Sequence, residues 1–385
     1  MYNIVRSVFD FFVGRGFYFL VLLSLAWGWL FFVYQIFGEH FSIGMSAWKE
    51  TAYWINYLDY GFVKRATLGT VLELTPFLNV SVKAHIVSAL AVLGVFGVSV
   101  FLAEKLRFLN IQVEKKFWYI VILLTSPASV PHFIYDFGRF DAILLLLFAG
   151  SAILFLSQKD WAACCISIIA TLTHEIYILV FVPFLLLLLF FESVNFKTFV
   201  FRSSFFMAGV GIAGAALLFF GKFERGPEML TSSLNDQSGI AFGEMKGEPV
   251  KVWTRDLSEN LSVVYQHIKN PVNWVSFVIL GTVWVMYLKL FLDITKRSSK
   301  SFLIVLALTS PLSLFFLGID YARWVAFSII LMVAAVAYLK YKNEVDLNKP
   351  SFCILRVVSV IGIILGPLGI TGSVFLFDKV IPKLI

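Results

Sequence analysis

The segment IVSALAVLGVFGVSVFLA, residues 86–103, decides the fold because it is long, apolar and free of charged residues. A helix needs about 20 mostly apolar residues to cross the hydrocarbon core of a bilayer. Similar runs recur along the 385-residue chain, in which 59% of the residues are hydrophobic and only 14% are charged. Soluble domains carry about 25% charged residues. The sequence therefore predicts an all-α, polytopic membrane protein that forms a single transmembrane domain over residues 1–385.

About eleven transmembrane helices are predicted from the positions of these apolar runs. They lie at roughly 17–37, 84–104, 117–133, 142–157, 161–173, 176–192, 203–220, 273–294, 301–318, 323–339 and 353–375. The fifth run is short and ends at the polar pair His174-Glu175, so the fifth and sixth runs form either a hairpin or one broken helix. No small-residue cleavage site follows the first run, so no cleavable signal peptide is expected.

The distribution of basic residues predicts the orientation of the chain. Nearly all Lys and Arg residues of the short loops fall on one side, which the positive-inside rule places in the cytoplasm together with the N-terminus. These residues are Arg6, Arg15, Lys105, Arg107, Lys115, Lys116, Lys159, Lys197, Arg202, Lys296, Arg297, Lys300, Lys340, Lys342, Lys349 and Arg356. Since they form no single basic stripe, the net charge of +7 does not indicate a nucleic-acid partner.

The first long external loop, residues 38–83, contains the segment Asp59-Tyr-Gly-Phe-Val-Lys64-Arg65. The apolar stretch 66–76 that follows is too short to cross a bilayer, so interfacial or re-entrant helices are expected there. A carboxylate followed by two adjacent cations, beside backbone that dips into the membrane, predicts an anion site. The alternative is that the cations anchor the loop at lipid headgroups. We prefer that alternative for Lys64 and leave both interpretations open for Arg65.

Two predicted helix ends share a sequence pattern at a constant offset. Thr125-Ser-Pro is followed after eight residues by Asp136-Phe-Gly-Arg139, and Thr309-Ser-Pro is followed after eight residues by Asp320-Tyr-Ala-Arg323. The match indicates a faint duplication, two similar solutions to one structural problem, or chance. On a helix, a spacing of three residues places Asp and Arg on one face. Each pair then either holds a helix end or offers an arginine to a phosphate.

The pair His174-Glu175 lies between two apolar runs with no basic residue nearby. Ionisable residues at membrane depth are costly, which favours a functional role for both. The alternative is that Glu175 stabilises the positive end of the following helix. No second histidine stands at a ligand spacing, so no metal site is predicted, although a divalent metal requirement stays open.

The second long loop, residues 221–272, is charged and rich in glycine and serine. Residues 253–268 have apolar residues on one helical stripe and predict an amphipathic helix at the outer membrane interface. Residues 232–249 predict a flexible loop that could close over a substrate. Arg225 and Arg255 are the arginines of this loop, and they supplement the candidates of the first loop.

The many spans, the large external loop in the second half, the external arginines and the lack of a nucleotide-binding motif together resemble the Wzy-type polymerases of O-antigen and capsule. The segment from Asp59 to Arg65 resembles stretches of membrane proteins that are encoded among surface-polysaccharide genes. The resemblance implies transfer of a glycan from a polyprenyl diphosphate to another lipid-linked repeat unit, on the periplasmic face of a bacterial inner membrane. It implies contacts with membrane lipids, and with a chain-length regulator or other polysaccharide assembly proteins. External arginines would grip the donor diphosphate. The residues that would do so are Arg65, Arg139, Arg323 and Lys64, with Arg225 and Arg255 as further candidates; we favour Arg139 and Arg323, with Arg65 in support.

The chain also resembles membrane glycosyltransferases of the GT-C class, which have an acidic residue and interfacial helices in a long first external loop. Asp59 lies in that loop here, and Asp136 and Asp141 lie in the next one. This resemblance implies addition of a single sugar from a polyprenyl-phosphate donor. Loop 38–83 departs from the pattern because it has no Asp-Asp, Asp-Glu or Asp-x-Asp pair.

Both resemblances require a general base and a cationic site for the leaving phosphate. Asp59 and Glu175 are our first candidates for the base, ahead of Asp141, with His174 as a helper or alternative. Asp136 and Asp320 would support the neighbouring arginines. No cofactor is predicted. A lipid-linked glycan flippase is the alternative from another functional class, since broken helices and a partial repeat are typical of transporters. A scaffold without catalytic function is a further alternative.

Overall fold

The computed structural model describes residues 2–39, 45, 47–126, 129–238, 248–255, 257–295, 299–366 and 368. The described chain is almost entirely helical, and no β-strand is assigned within it. The helices are α1 Tyr2–Val13, α2 Phe17–Glu39, α3 Ala47–Trp54, α4 Tyr57–Tyr60, α5 Thr67–Glu73, α6 Val80–Arg107, α7 Val113–Thr125, α8 Val130–Tyr135, α9 Asp141–Leu156, α10 Asp160–Thr173, α11 Ile176–Val180, α12 Val182–Glu192, α13 Phe196–Phe220, α14 Pro227–Ser238, α15 Glu248–Thr254, α16 Leu257–Lys269, α17 Pro271–Ile294, α18 Ser299–Thr309, α19 Tyr321–Tyr341 and α20 Phe352–Leu365. A 3₁₀ helix, Ser310–Phe316, lies between α18 and α19.

Several of these helices are long and apolar enough to cross a bilayer, which supports the predicted all-α membrane class. Five spans meet the length and composition of a transmembrane helix within the described residues, and the bent pair α1 and α2 would make six. The predicted number of eleven is not confirmed. The spans are Val80–Arg107, Val113–Tyr135, Phe196–Phe220, Asn273–Ile294 and Tyr321–Tyr341.

The predicted number is higher because apolar composition alone does not fix helix length. Five further apolar helices have only 10–17 residues: Asp141–Leu156, Asp160–Thr173, Val182–Glu192, Lys300–Phe316 and Phe352–Leu365. The predicted run 176–192 is interrupted at Phe181, just before Pro183, whose missing N–H prevents a regular helical hydrogen bond. The C-terminal part of the predicted run 353–375 lies outside the described residues.

Two predictions for the second long loop need correction. The helix predicted at 253–268 is two helices, α15 and α16, so Trp253 does not share a helix with the apolar residues of α16. The stretch 232–249 begins inside α14, which continues to Ser238. Residues 239–247 lie outside the described part, so the predicted flexible loop remains a prediction there.

Both Thr-Ser-Pro segments end an α-helix, as the shared pattern predicts. Helix α7 ends at Thr125, and α18 ends at Thr309 before the 3₁₀ helix. Proline cannot donate a hydrogen bond, so carbonyl groups in the preceding turn lose their helical partners. In a membrane protein such groups need other donors.

Serine hydroxyls supply these donors at equivalent positions. Ser24 donates to the carbonyl oxygen of Leu124 at 2.5 Å, and Ser328 donates to that of Leu308 at 2.5 Å. Both carbonyls belong to the residue that precedes Thr-Ser-Pro. The two segments therefore share a helix break and its hydrogen-bond compensation.

The similarity does not extend to the Asp-x-x-Arg residues that follow. Asp320 precedes α19, and Arg323 lies in its first turn, so that pair has the expected helical spacing. Residues 136–139 form a turn after α8, and Gly138 has a φ of +94°. The prediction that Asp136 and Arg139 share a helix face is therefore wrong, because the chain turns at the glycine.

The chain divides into two compact units. The first comprises residues 1–40, 92–136 and 263–385, and the second comprises residues 41–91 and 137–262. In the first unit, Phe17, Val21, Ala103, Ile120 and Leu124 are part of a buried apolar cluster.

In the second unit, α10 packs against α9 and α13, and α12 also packs against both of them. The short helix α3 contacts α5, α14 and α15, and α5 contacts α10. A Cβ at Gly69 in α5 would collide with the carbonyl oxygen of Ile55, so only glycine permits this close approach. The two long loops thus meet within one unit, where they surround the candidate site.

The Arg202–Asp160 ion pair ties α13 to α10 in this unit. Arg202 donates from Nε and Nη2 to the two carboxylate oxygens of Asp160 at 2.6 and 2.7 Å. We expect Arg202→Met to lower the free energy of unfolding by about 2 kcal/mol, because the substitution leaves Asp160 without its partner in a half-buried position. SDS titration in mixed micelles measures this change. Lys289→Met, which breaks an exposed pair with Asp293, is the control and should change stability by less than about 0.5 kcal/mol. Equal effects of both substitutions would contradict the prediction.

Candidate functional site

The carboxylate of Asp59 is held in place by the start of α4. The Asn56 side chain accepts a hydrogen bond from the Asp59 backbone N–H and donates one to Asp59 Oδ2, both at 2.8 Å. This reciprocal arrangement is typical of a helix N-terminus, where backbone N–H groups lack partners. Gly61, with a φ of +69°, ends the helix one turn later. Asp59 therefore has a fixed orientation while it stays exposed to solvent.

Arg65 and Glu175 form the central ion pair of the site. Arg65 Nε lies 3.1 Å from both carboxylate oxygens of Glu175, and its Nη2 donates to Glu175 Oε1. The two residues are 110 positions apart in the sequence. Arg65 has a φ of +64°, a left-handed conformation that is unfavourable for a residue with a side chain. Gln158 and Asn343, which lie outside the site, also have a positive φ, so this conformation does not by itself mark a functional residue.

The ion pair leaves one edge of the Arg65 guanidinium available. A guanidinium presents N–H groups on two edges that each match a carboxylate or phosphate. Glu175 takes the Nε and Nη2 edge, and within the described residues no partner is assigned to Nη1. The side chain of Arg65 is 19% exposed. Arg65 can therefore bind an anion while it stays paired with Glu175.

His174 extends the pair on the other side of Glu175. Its Nδ1 lies 3.2 Å from Glu175 Oε2 and 3.4 Å from the backbone nitrogen of Ile176. Burial raises the pKa of Glu175, but Arg65 and His174 outweigh it and hold this pKa well below its usual range. Glu175 is therefore ionised at neutral pH, and its charge serves to orient Arg65.

Lys64 is fixed through its backbone to the second long loop. Its N–H donates to the carbonyl oxygen of Gly221 at 2.9 Å, and its own carbonyl accepts from Trp253 Nε1 at 2.8 Å. Burial lowers the pKa of the Lys64 ammonium; Glu175 opposes this effect, and the charges of Arg65 and Lys222 add to it. A half-buried lysine with positive neighbours and one carboxylate nearby is a suitable anion ligand.

A cavity of about 190 Å³ lies beside this segment in the same unit. Its lining residues are Asp59, Tyr60, Gly61, Phe223, Arg225, Met229 and Ser233. Asp59 and Arg225 provide opposite charges in this cavity, and both are predicted site residues. The cavity joins the segment from Asp59 to Arg65 with the start of the second long loop.

The other predicted residues of this unit have different environments. Asp141 is buried in the first turn of α9, near Tyr53. Arg139 is half-buried in the turn before α9, and Arg255 is half-buried just after α15. These three residues are not among those that line the cavity.

Arg323, Asp320 and Asp136 lie in the first unit. Arg323 Nη1 donates to Asp320 Oδ2 at 3.2 Å, and the guanidinium lies 4.9 Å from the Trp324 ring centroid. The Arg323 side chain is only 6% exposed. These contacts favour the interpretation that Arg323 holds the start of α19. Asp136 is also buried.

Sequence reasoning did not identify several residues that shape the site. Tyr60 and Gly61 stand inside the segment from Asp59 to Arg65, but only its charged residues were selected. Phe223 and Ser233 could not be found, because no local pattern distinguishes a cavity wall from an ordinary loop residue. The apolar pattern predicts Trp253 on an interfacial helical stripe, whereas its indole N–H donates to the backbone carbonyl of Lys64.

Comparison with known proteins does not identify a family for this chain. No protein-family model, curated protein or solved structure matches it significantly. The functional argument therefore rests on the residues of the site.

We expect a measurable coupling energy between Arg65 and Glu175. In a double-mutant cycle with Arg65→Met and Glu175→Gln, the free energies of unfolding should be non-additive by about 1 kcal/mol, because Glu175 is 36% exposed and solvent weakens the pair. SDS titration of the four proteins measures this coupling. The cycle Lys289→Met with Asp293→Asn is the control, since that ion pair is more exposed.

The same coupling should persist under mildly acidic conditions. The folded pKa of Glu175 is below its unfolded value of about 4.3, so its stabilisation is complete above that value. It is lost only when the pH falls through the lower folded pKa. A coupling energy that disappeared between about pH 7 and pH 5 would contradict this assignment.

Proposed function

We propose that the protein is a membrane glycosyltransferase that acts on polyprenyl-diphosphate-linked glycans and polymerises their repeat units. The observation that carries the proposal is the Arg65–Glu175 pair, in which a strained arginine keeps one donor edge available. Arginine binds phosphate groups through two parallel hydrogen bonds.

The charges around Asp59 and Arg65 support glycosyl transfer as the reaction class. The acceptor hydroxyl oxygen bonds to the anomeric carbon of the donor sugar, and the bond from that carbon to the diphosphate oxygen breaks. The diphosphate leaves with the electron pair, and Asp59 takes the proton of the hydroxyl group. Arg65 and Lys64 stabilise the charge that develops on the leaving diphosphate.

Asp59 is a better general base than Glu175 in this proposal. A base must reach the acceptor hydroxyl and bind its proton, and Asp59 is exposed at a cavity. Glu175 is paired with Arg65 and contacts His174, and both residues lower its pKa. Its role is to orient Arg65. Arg139 is a further candidate for the donor diphosphate, whereas the contacts of Arg323 favour a structural role at the start of α19.

A GT-C type enzyme that adds a single sugar is the second candidate. The packing of α3, α4 and α5 around the Asp59 segment favours it, because short helices in a first loop with an acidic residue are part of that resemblance. Both candidates share Asp59 as the base and Arg65 as the phosphate ligand. The donor sugar is linked to a polyprenyl diphosphate in the first candidate and to a polyprenyl phosphate in the second. The product is a polymer in the first case and carries one added sugar in the second.

Purified protein in lipid nanodiscs tests the proposal with a polyprenyl-diphosphate-linked repeat unit as the only donor. We expect a ladder of lengthened lipid-linked glycans on a gel. Arg65→Ala should reduce the initial rate about 100-fold because it removes a charge at the leaving group. Asp59→Asn should reduce it by at least about 100-fold because it removes the base. Arg139→Ala and Arg323→Ala test the other candidates in the same assay.

The control for these variants is Lys197→Gln, an exposed residue on the predicted cytoplasmic side, which should retain the full rate. Product formation by Arg65→Ala at the wild-type rate would overturn the proposed role of Arg65. A single added sugar from a polyprenyl-phosphate donor would select the GT-C type reaction. Movement of the lipid-linked glycan across the vesicle membrane, without formation of a glycosidic bond, would favour the alternative that the protein is a flippase.

The alkaline limit of the reaction should depend on Lys64. Because the pKa of Lys64 is lowered from 10.5, its ammonium loses its proton at a lower pH than an exposed lysine does. We expect the rate to fall on the alkaline side as this charge is lost. Lys64→Arg should extend activity to higher pH, since a guanidinium keeps its charge there. Initial rates between about pH 7 and pH 10 measure the effect, with Lys197→Arg as the control. Identical alkaline limits in all three proteins would exclude Lys64 as an anion ligand.

A further inference from the structure

The cavity that contains Asp59, called the Asp59 cavity below, has walls that are joined by specific contacts. The Tyr60 hydroxyl donates to Gln237 Oε1 at 2.7 Å and accepts from Ser233 Oγ at 3.4 Å. The Tyr60 and Phe223 rings lie 6.1 Å apart in an edge-on arrangement. These contacts connect the first long loop with the second and fix the shape of the cavity.

A backbone junction supports the same walls from behind. The N–H of Phe223 donates to the carbonyl oxygen of Trp253 at 2.9 Å, and the Trp253 indole donates to the carbonyl of Lys64. Trp253 is buried. Two hydrogen bonds of Trp253, one from its indole and one to its backbone carbonyl, therefore set the position of the cavity relative to Lys64.

Two charged groups of opposite sign face the Asp59 cavity. Asp59 uses Oδ2 to accept from Asn56, and no partner within the described residues is assigned to Oδ1. Arg225 is exposed, and the described part of the chain provides no hydrogen bond or ion pair for it. A ligand can therefore meet one acceptor and one donor without breaking an existing interaction.

The size and the chemistry of the Asp59 cavity select a small polyol. A volume of about 190 Å³ is below the roughly 300–1,000 Å³ of sites for drug-sized ligands, so it suits one sugar ring. A carboxylate accepts hydrogen bonds from sugar hydroxyls, and a guanidinium donates to hydroxyl or ring oxygens. Phe223 and Met229 add apolar surface for the C–H groups of the ring. Asp59 and Arg225 together give the lining no net charge, which matches a neutral ligand.

We propose that the Asp59 cavity binds one neutral monosaccharide residue of the acceptor glycan. This inference rests on the proposed function and names the chemical class of its acceptor. A hydroxyl group of the bound sugar lies at Asp59, which serves as the base for that hydroxyl. Arg225 acts as a specificity-determining residue, and Arg65 and Lys64 hold the donor diphosphate.

Saturation-transfer difference NMR on the full-length protein in nanodiscs tests this inference without any donor. The probes are methyl β-glucoside, methyl β-galactoside, methyl N-acetyl-β-glucosaminide and glucuronate. We expect at least one neutral glycoside to receive saturation, with about tenfold weaker binding in Asp59→Asn and in Arg225→Gln. Glu224→Gln is the matched control, because Glu224 is exposed beside Arg225 but does not line the cavity.

Three results would overturn the inference: no saturation of any neutral probe, equal saturation in both cavity variants and the wild type, or strongest binding of glucuronate. The transfer assay separates this failure from failure of the proposed function. Binding that depends on Asp59 and Arg225 without any transfer would retain the sugar site and reject the enzyme. Transfer without binding of the neutral probes would retain the enzyme and reject this site.

Discussion

The Arg65–Glu175 ion pair is the interaction on which the arrangement of the site depends. It joins the first long loop to the connection between α10 and α11, across 110 residues of sequence. The left-handed backbone of Arg65 is unfavourable by itself, so its neighbours must maintain it. The Arg65 side chain is paired with Glu175, and the backbone of the adjoining Lys64 is hydrogen-bonded to Gly221 and Trp253.

The membrane imposes a second constraint, which explains the serine residues at the helix breaks. Helices that end inside an apolar environment expose carbonyl groups that water cannot reach. Ser24 and Ser328 supply the missing donors at Leu124 and Leu308. The second break lies within the apolar segment Lys300–Phe316, which is shorter than a full span, whereas the first lies within Val113–Tyr135, which is long enough to cross a bilayer. Hydropathy alone predicts spans at these places because composition does not show where the hydrogen-bond ladder stops.

The sequence was sufficient for the helical class and for many helix positions, because long apolar runs have few alternatives to helix formation. It also selects Asp59 and Arg65 from the segment 59–65, and His174 and Glu175 from their apolar surroundings, as candidates that lie in one unit of the structure; their functions stay predictions. It could not predict that Arg65 binds Glu175, since this pairing depends on the packing of distant segments. The shared Asp-x-x-Arg spacing predicted two equivalent pairs. Gly138 has a positive φ, so the Asp136–Arg139 segment forms a turn instead of a helix. Residue spacing alone does not predict this backbone conformation.

The two carboxylates of the site, Glu175 and Asp59, have different partners. Glu175 lies between Arg65 and His174, which hold its pKa well below the usual range, so it is ionised at neutral pH. Asp59 receives one amide hydrogen bond and otherwise faces the solvent, so its charge is free to respond to a ligand. One carboxylate thus orients a cation, and the other is available for proton transfer. Two acidic residues in different environments are the usual means by which one site provides both functions. An enzyme that stabilises a leaving phosphate while it deprotonates an acceptor requires this separation, whereas a transporter that only binds and releases its cargo does not.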